Sequence, residues 1–216
     1  IAIKDVKMRT FITEDSNRNE MVQHVYDITY GTVRPGEDTL VVIDDSIVRG
    51  TTLKESIIRM LSRLKPRRIV VVSSSPQIRY PDCYGIDMSK MGDFIAFNAA
   101  VELMKEKNKT NCLKELHERC KELSRNNQLH TENVVKQLYK QFTAEEISAK
   151  IAQLITPPGM DIPVDVIFQS IEDLHRSCPN NLGDWYFTGN YPTPGGNKVV
   201  NKAFMNYMEG NNVRGY

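Results

Sequence analysis

The 216 residues contain no CxxC pair, no excess of charge of either sign, and no apolar run near the roughly 20 residues that a bilayer span requires. Each absence removes a class of function. The four cysteines, Cys83, Cys112, Cys120 and Cys178, lack the ligand spacing of a zinc or iron–sulfur site, so free thiols are expected, buried and inert in a reducing compartment. The 28 basic and 27 acidic side chains nearly cancel. Neither nucleic acid nor an anionic membrane therefore attracts the chain as a whole, and any phosphate must be bound locally. The first residues have neither the apolar stretch nor the cleavage pattern of a signal peptide, so the cytoplasm is the expected compartment. The sequence opens at Ile1 and reads as a portion of a longer protein. Its length suffices for one sizeable domain with a real core.

What the sequence does have is concentrated in VVIDDSIVRGTT, residues Val41 to Thr52. Thr39 to Ile43 is a continuous β-branched run of the kind found in central parallel strands. Unpaired buried charge is costly, so Asp44 and Asp45 must stand where the strand ends and face something other than core. Leu53, Ile57, Met60, Leu61 and Leu64 then recur at helical spacing, with Thr52 and Glu55 spaced for a capping box, which predicts a helix beginning at Thr51 or Thr52. Pro66 helps to end it, and Ile69 to Val72 is a second apolar strand. This strand–helix–strand unit predicts an α/β fold with a parallel sheet. Ligands of such sheets bind outside the carboxyl ends of the strands, where Asp44 to Thr52 and Ser73 to Pro76 should converge.

The unpaired N–H groups and the dipole of a helix N-terminus favour anions. Gly50 lets the backbone approach a phosphate, and Ser46, Thr51 and Thr52 add hydroxyl donors. Two aspartates would repel that phosphate, so they should face adjacent hydroxyls, a magnesium ion, or both. A phosphorylated sugar supplies both partners. The bland alternative makes Asp44 and Asp45 turn caps, but strand, acids, hydroxyls, glycine and helix in that order form a more specific composite.

Elsewhere, Lys7 to Ile12 reads as a short strand and Thr13 to Thr32 as a long polar loop or marginal helix, of a length usual for lids and binding loops. Helical stripes follow at Met91, Phe94, Ile95 and Val101, then at Leu113, Leu116, Cys120 and Leu123, and then at Val134, Val135, Leu138 and Phe142. Thr143 and Glu146 form another capping box, Val164 to Phe168 a strand, and Ser170 with Asp173 a helix start. The last segment, with YFTGNYPTPGGNK, reads as an extended tail packed by Trp185, Tyr186, Phe187 and Tyr191.

DDSIVRGTT resembles the phosphoribosyl pyrophosphate motif of the type I phosphoribosyltransferases, in the version used by the glutamine phosphoribosylpyrophosphate amidotransferase family. MRTFI, SSPQIRYPDCYGIDM, VIFQSIEDL and YFTGNYPTPGG agree in the same order. The resemblance implies part of a parallel-sheet phosphoribosyltransferase core. Residues 1–104 would be the C-terminal part of that core, 105–150 a helical insertion, and 151–216 a small strand–helix subdomain with its tail. It implies the first step of purine synthesis, in which ammonia from glutamine attacks phosphoribosyl pyrophosphate, and also a homo-oligomer and an N-terminal glutaminase domain lying outside this chain. Carried over, Asp44 and Asp45 would hold ribose hydroxyls and Mg2+. Ser46, Ile47, Val48, Arg49, Gly50, Thr51 and Thr52 would form the 5′-phosphate loop, and Arg9 to about Thr32 a lid.

Several departures matter. The pyrophosphate-binding loop is missing, so this chain alone is expected to be inactive. NEMVQHVYDITYG stands where the family has a run of Arg and Lys, leaving Arg18 and His24 as the nearest replacements. Gly183 and Tyr186 occupy the places of a CxxC that binds an iron–sulfur cluster in some members, so no cluster is expected. The depleted lid keeps open a second reading, a non-catalytic sensor of phosphoribosyl pyrophosphate or a nucleotide. An interaction scaffold built on the helical insertion is a third.

Overall fold

In the computed structural model, which describes residues 2–4, 26–28, 31–84, 88–181, 183–211 and 213–215, β1 (Ala2–Lys4) pairs antiparallel with β2 (Tyr26–Ile28), Ala2 opposite Ile28. Tyr26–Ile28 is thus a strand inside the stretch expected to be loop or marginal helix, in keeping with the strand preference of Tyr and Ile. The expected strand Lys7 to Ile12, and Arg18 and His24 of the lid, lie outside the described residues.

The β-branched runs pair as expected. β3 (Thr39–Asp44), β4 (Arg68–Ser73) and β5 (Val164–Phe168) form a parallel sheet in that order, with Val42 beside Val71 and Val71 beside Val166. The side-chain period of two then sorts the strands into faces. Leu40, Ile69, Val71 and Val166 are buried on one face, whereas Val41 (60% exposed), Ile43 (74%) and Ile167 (53%) stand in solvent on the other.

Between β3 and β4 the chain passes through a π-helical turn, Leu53–Ile57, into α1 (Ile58–Ser62). The capping box expected at Thr52 does not form. Thr52 already has helical dihedrals and its side chain caps nothing, because the Gly50 carbonyl accepts from Lys54 N–H at 3.0 Å and starts the helix earlier.

The core face of the sheet is covered by helices. α2 (Ile95–Glu106) follows a 3-10 turn at Met91–Asp93, and α3 (Thr110–Arg125), α4 (Lys136–Tyr139) and α5 (Ala144–Ile155) complete the layer. α5 packs on β5 and α2 packs on α5. The capping box at Thr143 is complete: its Oγ1 accepts from Glu146 N–H, and Glu146 Oε2 accepts from Thr143 N–H. α2 and α5 run across positions 104 and 150, and Leu113, Leu138 and Ile147 share one core with Ile69 and Val71. α6 (Ile171–Ser177) starts at Ser170, whose Oγ accepts from Asp173 N–H.

The tail is not extended. α7 (Trp185–Thr188) and α8 (Pro194–Met208) account for most of it, with Pro194 in the first turn of α8, where a missing N–H costs nothing. The Gly–Pro composition that suggests a loop serves close packing instead. A Cβ on Gly196 would lie 2.2 Å from the Tyr191 ring, and Val199, Val200, Ala203 and Phe204 are buried beyond it. Tyr186, Phe187 and Tyr191 do pack against the core. No helix among the described residues is long and apolar enough to cross a membrane.

Candidate functional site

β3 ends in Asp44, half-buried, followed by exposed Asp45. Each carboxylate accepts from the next N–H in the chain: Asp44 Oδ1 from Asp45 at 3.0 Å, and Asp45 Oδ1 from Ser46 at 2.7 Å. The second loop arrives as expected. Ser74 N–H and Ser74 Oγ both donate to the Asp44 carbonyl, at 2.9 and 3.1 Å, so the carboxyl ends of β3 and β4 are tied together. Ser73 is buried, its Oγ donating to the Ser75 carbonyl at 2.9 Å.

Burial, and then the neighbouring Asp45 charge, push the Asp44 carboxyl above its usual range. In the protein alone its ionised form is therefore less favoured than that of an open carboxylate, and a cation or hydroxyl donors arriving there would offset this. No cluster of three or more His, Cys, Asp or Glu able to hold a metal occurs among the described residues. Two adjacent carboxylates fit Mg2+ in its usual mode, in which one or two protein carboxylates complement waters and substrate oxygens. They do not fit a cage made of protein alone.

Beyond the acids the loop divides. Ile47 is buried and Val48 packs against the core, so both serve as anchors and offer only backbone to a ligand. Gly50 takes φ +72°, a left-handed conformation that L side chains adopt at a cost, and a Cβ there would lie 3.0 Å from Ile155 and 3.1 Å from Ile95. Thr51 is exposed and Thr52 half-exposed in the first turn of the helix, where N–H groups have no helical acceptor. Of the expected cradle from Ser46 to Thr52, Ser46 N–H is engaged by Asp45. Arg49 donates from Nη2 to Asp93 Oδ2 at 3.2 Å.

Asp93 has no counterpart in the sequence reading. Its signal was an acid set between Met91 and Phe94, both buried, which is the same anomaly that marked Asp44. Asp82 is similar: buried, it accepts from the Tyr186 hydroxyl at 3.0 Å and so fastens the tail to the segment after β4. Of YGIDM, residues 85–87 lie outside the described set. A cleft of about 780 Å³ runs beside β5, between Gln77, Arg79, Glu145 and Gln169. None of its lining residues belongs to the acidic loop, and an anion held by backbone N–H groups needs a cradle more than a deep pocket.

Burial raises the thiols of Cys83 and Cys112, and that of Cys120 to about 12, so none of the three is activated. Against the expectation of buried thiols, only Cys120 of the four is buried: Cys83 and Cys112 are half-buried, and Cys178, which follows the short surface helix α6, is exposed.

No family model matches the chain. Over 70 residues it is 40% identical to the amidophosphoribosyltransferase of Haemophilus influenzae, which covers 32% of this chain and 14% of that protein. Over 97 residues it is 37% identical to the amidophosphoribosyltransferase of Staphylococcus epidermidis, covering 45% and 19% respectively. Among solved structures, the glutamine phosphoribosylpyrophosphate amidotransferase from B. subtilis, complexed with ADP and GMP, is 26% identical and covers 89% of this chain and 32% of that chain; its TM-score of 0.45 is too low to support an argument from shape. The chain thus spans well under two thirds of the length of the relatives it matches.

Proposed function

We propose that this chain is the C-terminal phosphoribosyltransferase part of an amidophosphoribosyltransferase of the cytoplasm. In that reaction the nitrogen of ammonia bonds to the anomeric carbon of phosphoribosyl pyrophosphate as the bond from that carbon to pyrophosphate breaks. The products are 5-phosphoribosylamine, pyrophosphate and a proton. The observation that carries the reading is the parallel strand that ends in Asp44 and Asp45 and turns through left-handed Gly50 into a helix start. The identities of 37–40% to amidophosphoribosyltransferases support it.

In this reading the backbone N–H groups between Ser46 and Thr52 bind the 5′-phosphate, with the Thr51 and Thr52 hydroxyls as further donors. Asp44 and Asp45 accept from the ribose hydroxyls and hold Mg2+. Bound magnesium would neutralise charge on the pyrophosphate as it leaves. The glutaminase that supplies ammonia, the pyrophosphate-binding loop and any homo-oligomer contacts belong to the longer protein. Residues 105–150 are read as a helical insertion that thickens the layer covering the sheet. Gly183 and Tyr186 stand in the places of two cysteines that hold a cluster in some members, and neither supplies a thiolate, so this reading includes no iron.

The scarcity of Lys and Arg between Asn19 and Gly31 favours a second reading, a sensor that binds phosphoribosyl pyrophosphate without turnover. Calorimetry with phosphoribosyl pyrophosphate and magnesium, followed by an assay for pyrophosphate release with ammonia in the longest natural protein that contains this chain, separates the two. Binding with turnover is expected. Binding without turnover supports the sensor, and no binding ends both.

A further inference from the structure

Three consecutive loop residues meet one short segment, Met91 to Ile95, that leads into α2. The Val48 carbonyl accepts from Ile95 N–H at 2.7 Å, the Arg49 guanidinium donates to Asp93 at 3.2 Å, and Gly50 lies against the Ile95 side chain. That segment is itself well fixed. Met91 and Phe94 are buried, Asp93 N–H donates to the Lys90 carbonyl at 3.1 Å, and Asn98 Nδ2 holds the Gly92 carbonyl at 2.9 Å. Arg49 and Asp93 stand 44 residues apart in sequence, and each side chain is about one-third exposed.

An arginine in a phosphate loop invites the reading that it contacts the phosphate. The geometry points to another: we propose that Arg49 is a positioning residue acting through Asp93, and that the pair, with the Val48–Ile95 bond, fastens the loop so that its N–H groups stay arranged for a phosphate. The inference rests on the phosphoribosyl reading above for its ligand, but not for the fastening itself. The two roles for Arg49 predict opposite signs. If Arg49 bound phosphate directly, Asp93 would compete for it, and neutralising Asp93 would remove that competition and tighten binding. If the pair fastens the loop, neutralising Asp93 loosens it and weakens binding.

The test measures phosphoribosyl pyrophosphate with magnesium by calorimetry on the longest natural protein that contains this chain, and amide hydrogen exchange of residues 46–52 without ligand. Partly exposed ion pairs contribute modestly, so Asp93→Asn and Arg49→Gln should each weaken binding about two- to fivefold. The double variant should be no worse than either single one, since the two side chains act as a unit. The exchanged pair, Arg49→Asp with Asp93→Arg, should recover most of the affinity. Amide exchange should quicken in both single variants and return toward the parent in the exchanged pair. Unchanged or tighter binding by Asp93→Asn, or additive losses in the double variant, would overturn the proposal. Should the parent bind nothing, the phosphoribosyl reading falls, and exchange alone decides the fastening: unchanged rates in the single variants refute it and faster rates uphold it.

Discussion

The helical layer and the strand-end loop obey different rules. In the layer the packing is largely consistent. Phe97 meets Phe204 and Tyr207 edge-on at 6.2 and 4.7 Å between ring centroids, Leu138, Ile147 and Ile151 have no exposed surface, and buried Asn201 satisfies Val134 N–H and the Leu129 and Glu132 carbonyls. The loop from Asp44 to Gly50 breaks several of those rules within seven residues: adjacent carboxylates, one raised by burial, and a left-handed turn wedged between two isoleucines. Local conflict is expected where a ligand completes the structure, and the consistent part of the molecule makes such conflict tolerable. Stability should therefore reside in one region and binding in the other.

The largest test of that division is Phe204→Ala, which leaves a cavity in the consistent region. It should cost about 3–5 kcal/mol by urea unfolding, while the protein that remains folded binds phosphoribosyl pyrophosphate as the parent does. A loss of affinity as large as the loss of stability would show that the two regions are not separable. Gly50→Ala sits on the boundary between them. The left-handed φ and the contacts with Ile155 and Ile95 should cost about 1–3 kcal/mol and weaken binding as well, since the loop must shift to admit a methyl group.

Asp44→Asn and Asp45→Asn should separate the regions in the opposite sense. Losing a charged contact should weaken binding roughly tenfold, whereas the unfolding midpoint of the free protein stays level or rises, because two like charges no longer face each other. If both variants bind as tightly as the parent, or both unfold early, the aspartates are turn caps.

The smallest effect is one of pH. The folded protein holds the Asp44 proton more tightly than the unfolded chain, whose ordinary value is 3.8, so Asp44 lowers stability as pH rises from about 4 through its raised folded value. Other acids act oppositely: Arg34 lowers Asp38, and Lys107 lowers Glu146. The difference between parent and Asp44→Asn isolates the Asp44 contribution. That difference should grow in the variant's favour across the window, while magnesium-dependent affinity of the parent rises over the same range as the carboxylate ionises. Parallel pH profiles for the two proteins would remove Asp44 from the argument.

The sequence made the strands legible because β-branched runs in a parallel sheet need no partner to be recognised, and β3, β4 and β5 fall where Thr39 to Ile43, Ile69 to Val72 and Val164 to Phe168 were read. It also exposed the Thr143 cap, whose two hydrogen bonds are local. The Thr52 cap failed because a residue two positions earlier, Gly50, decides the start of that helix through its own dihedral angle. α8 was hidden because Pro194, Gly195 and Gly196 carry loop statistics, and only the approach of Tyr191 explains them. At the site, Asp44 and Asp45 could be found as acids against an apolar run. Arg49 is legible only as a member of the expected phosphate loop, and its partner Asp93, 44 residues away, is a tertiary fact that no spacing encodes.

The open face of the sheet has a thermal consequence. Val41 and Ile43 on β3 and Ile167 on β5 make an apolar strip across that face, and among the described residues β3 pairs only with β4. Association through such a strip is driven by the release of water, a force that weakens on cooling. Concentrated solutions of this chain should therefore scatter more light as they warm from ice to room temperature and clear again when chilled, the reverse of a sample held together by salt bridges.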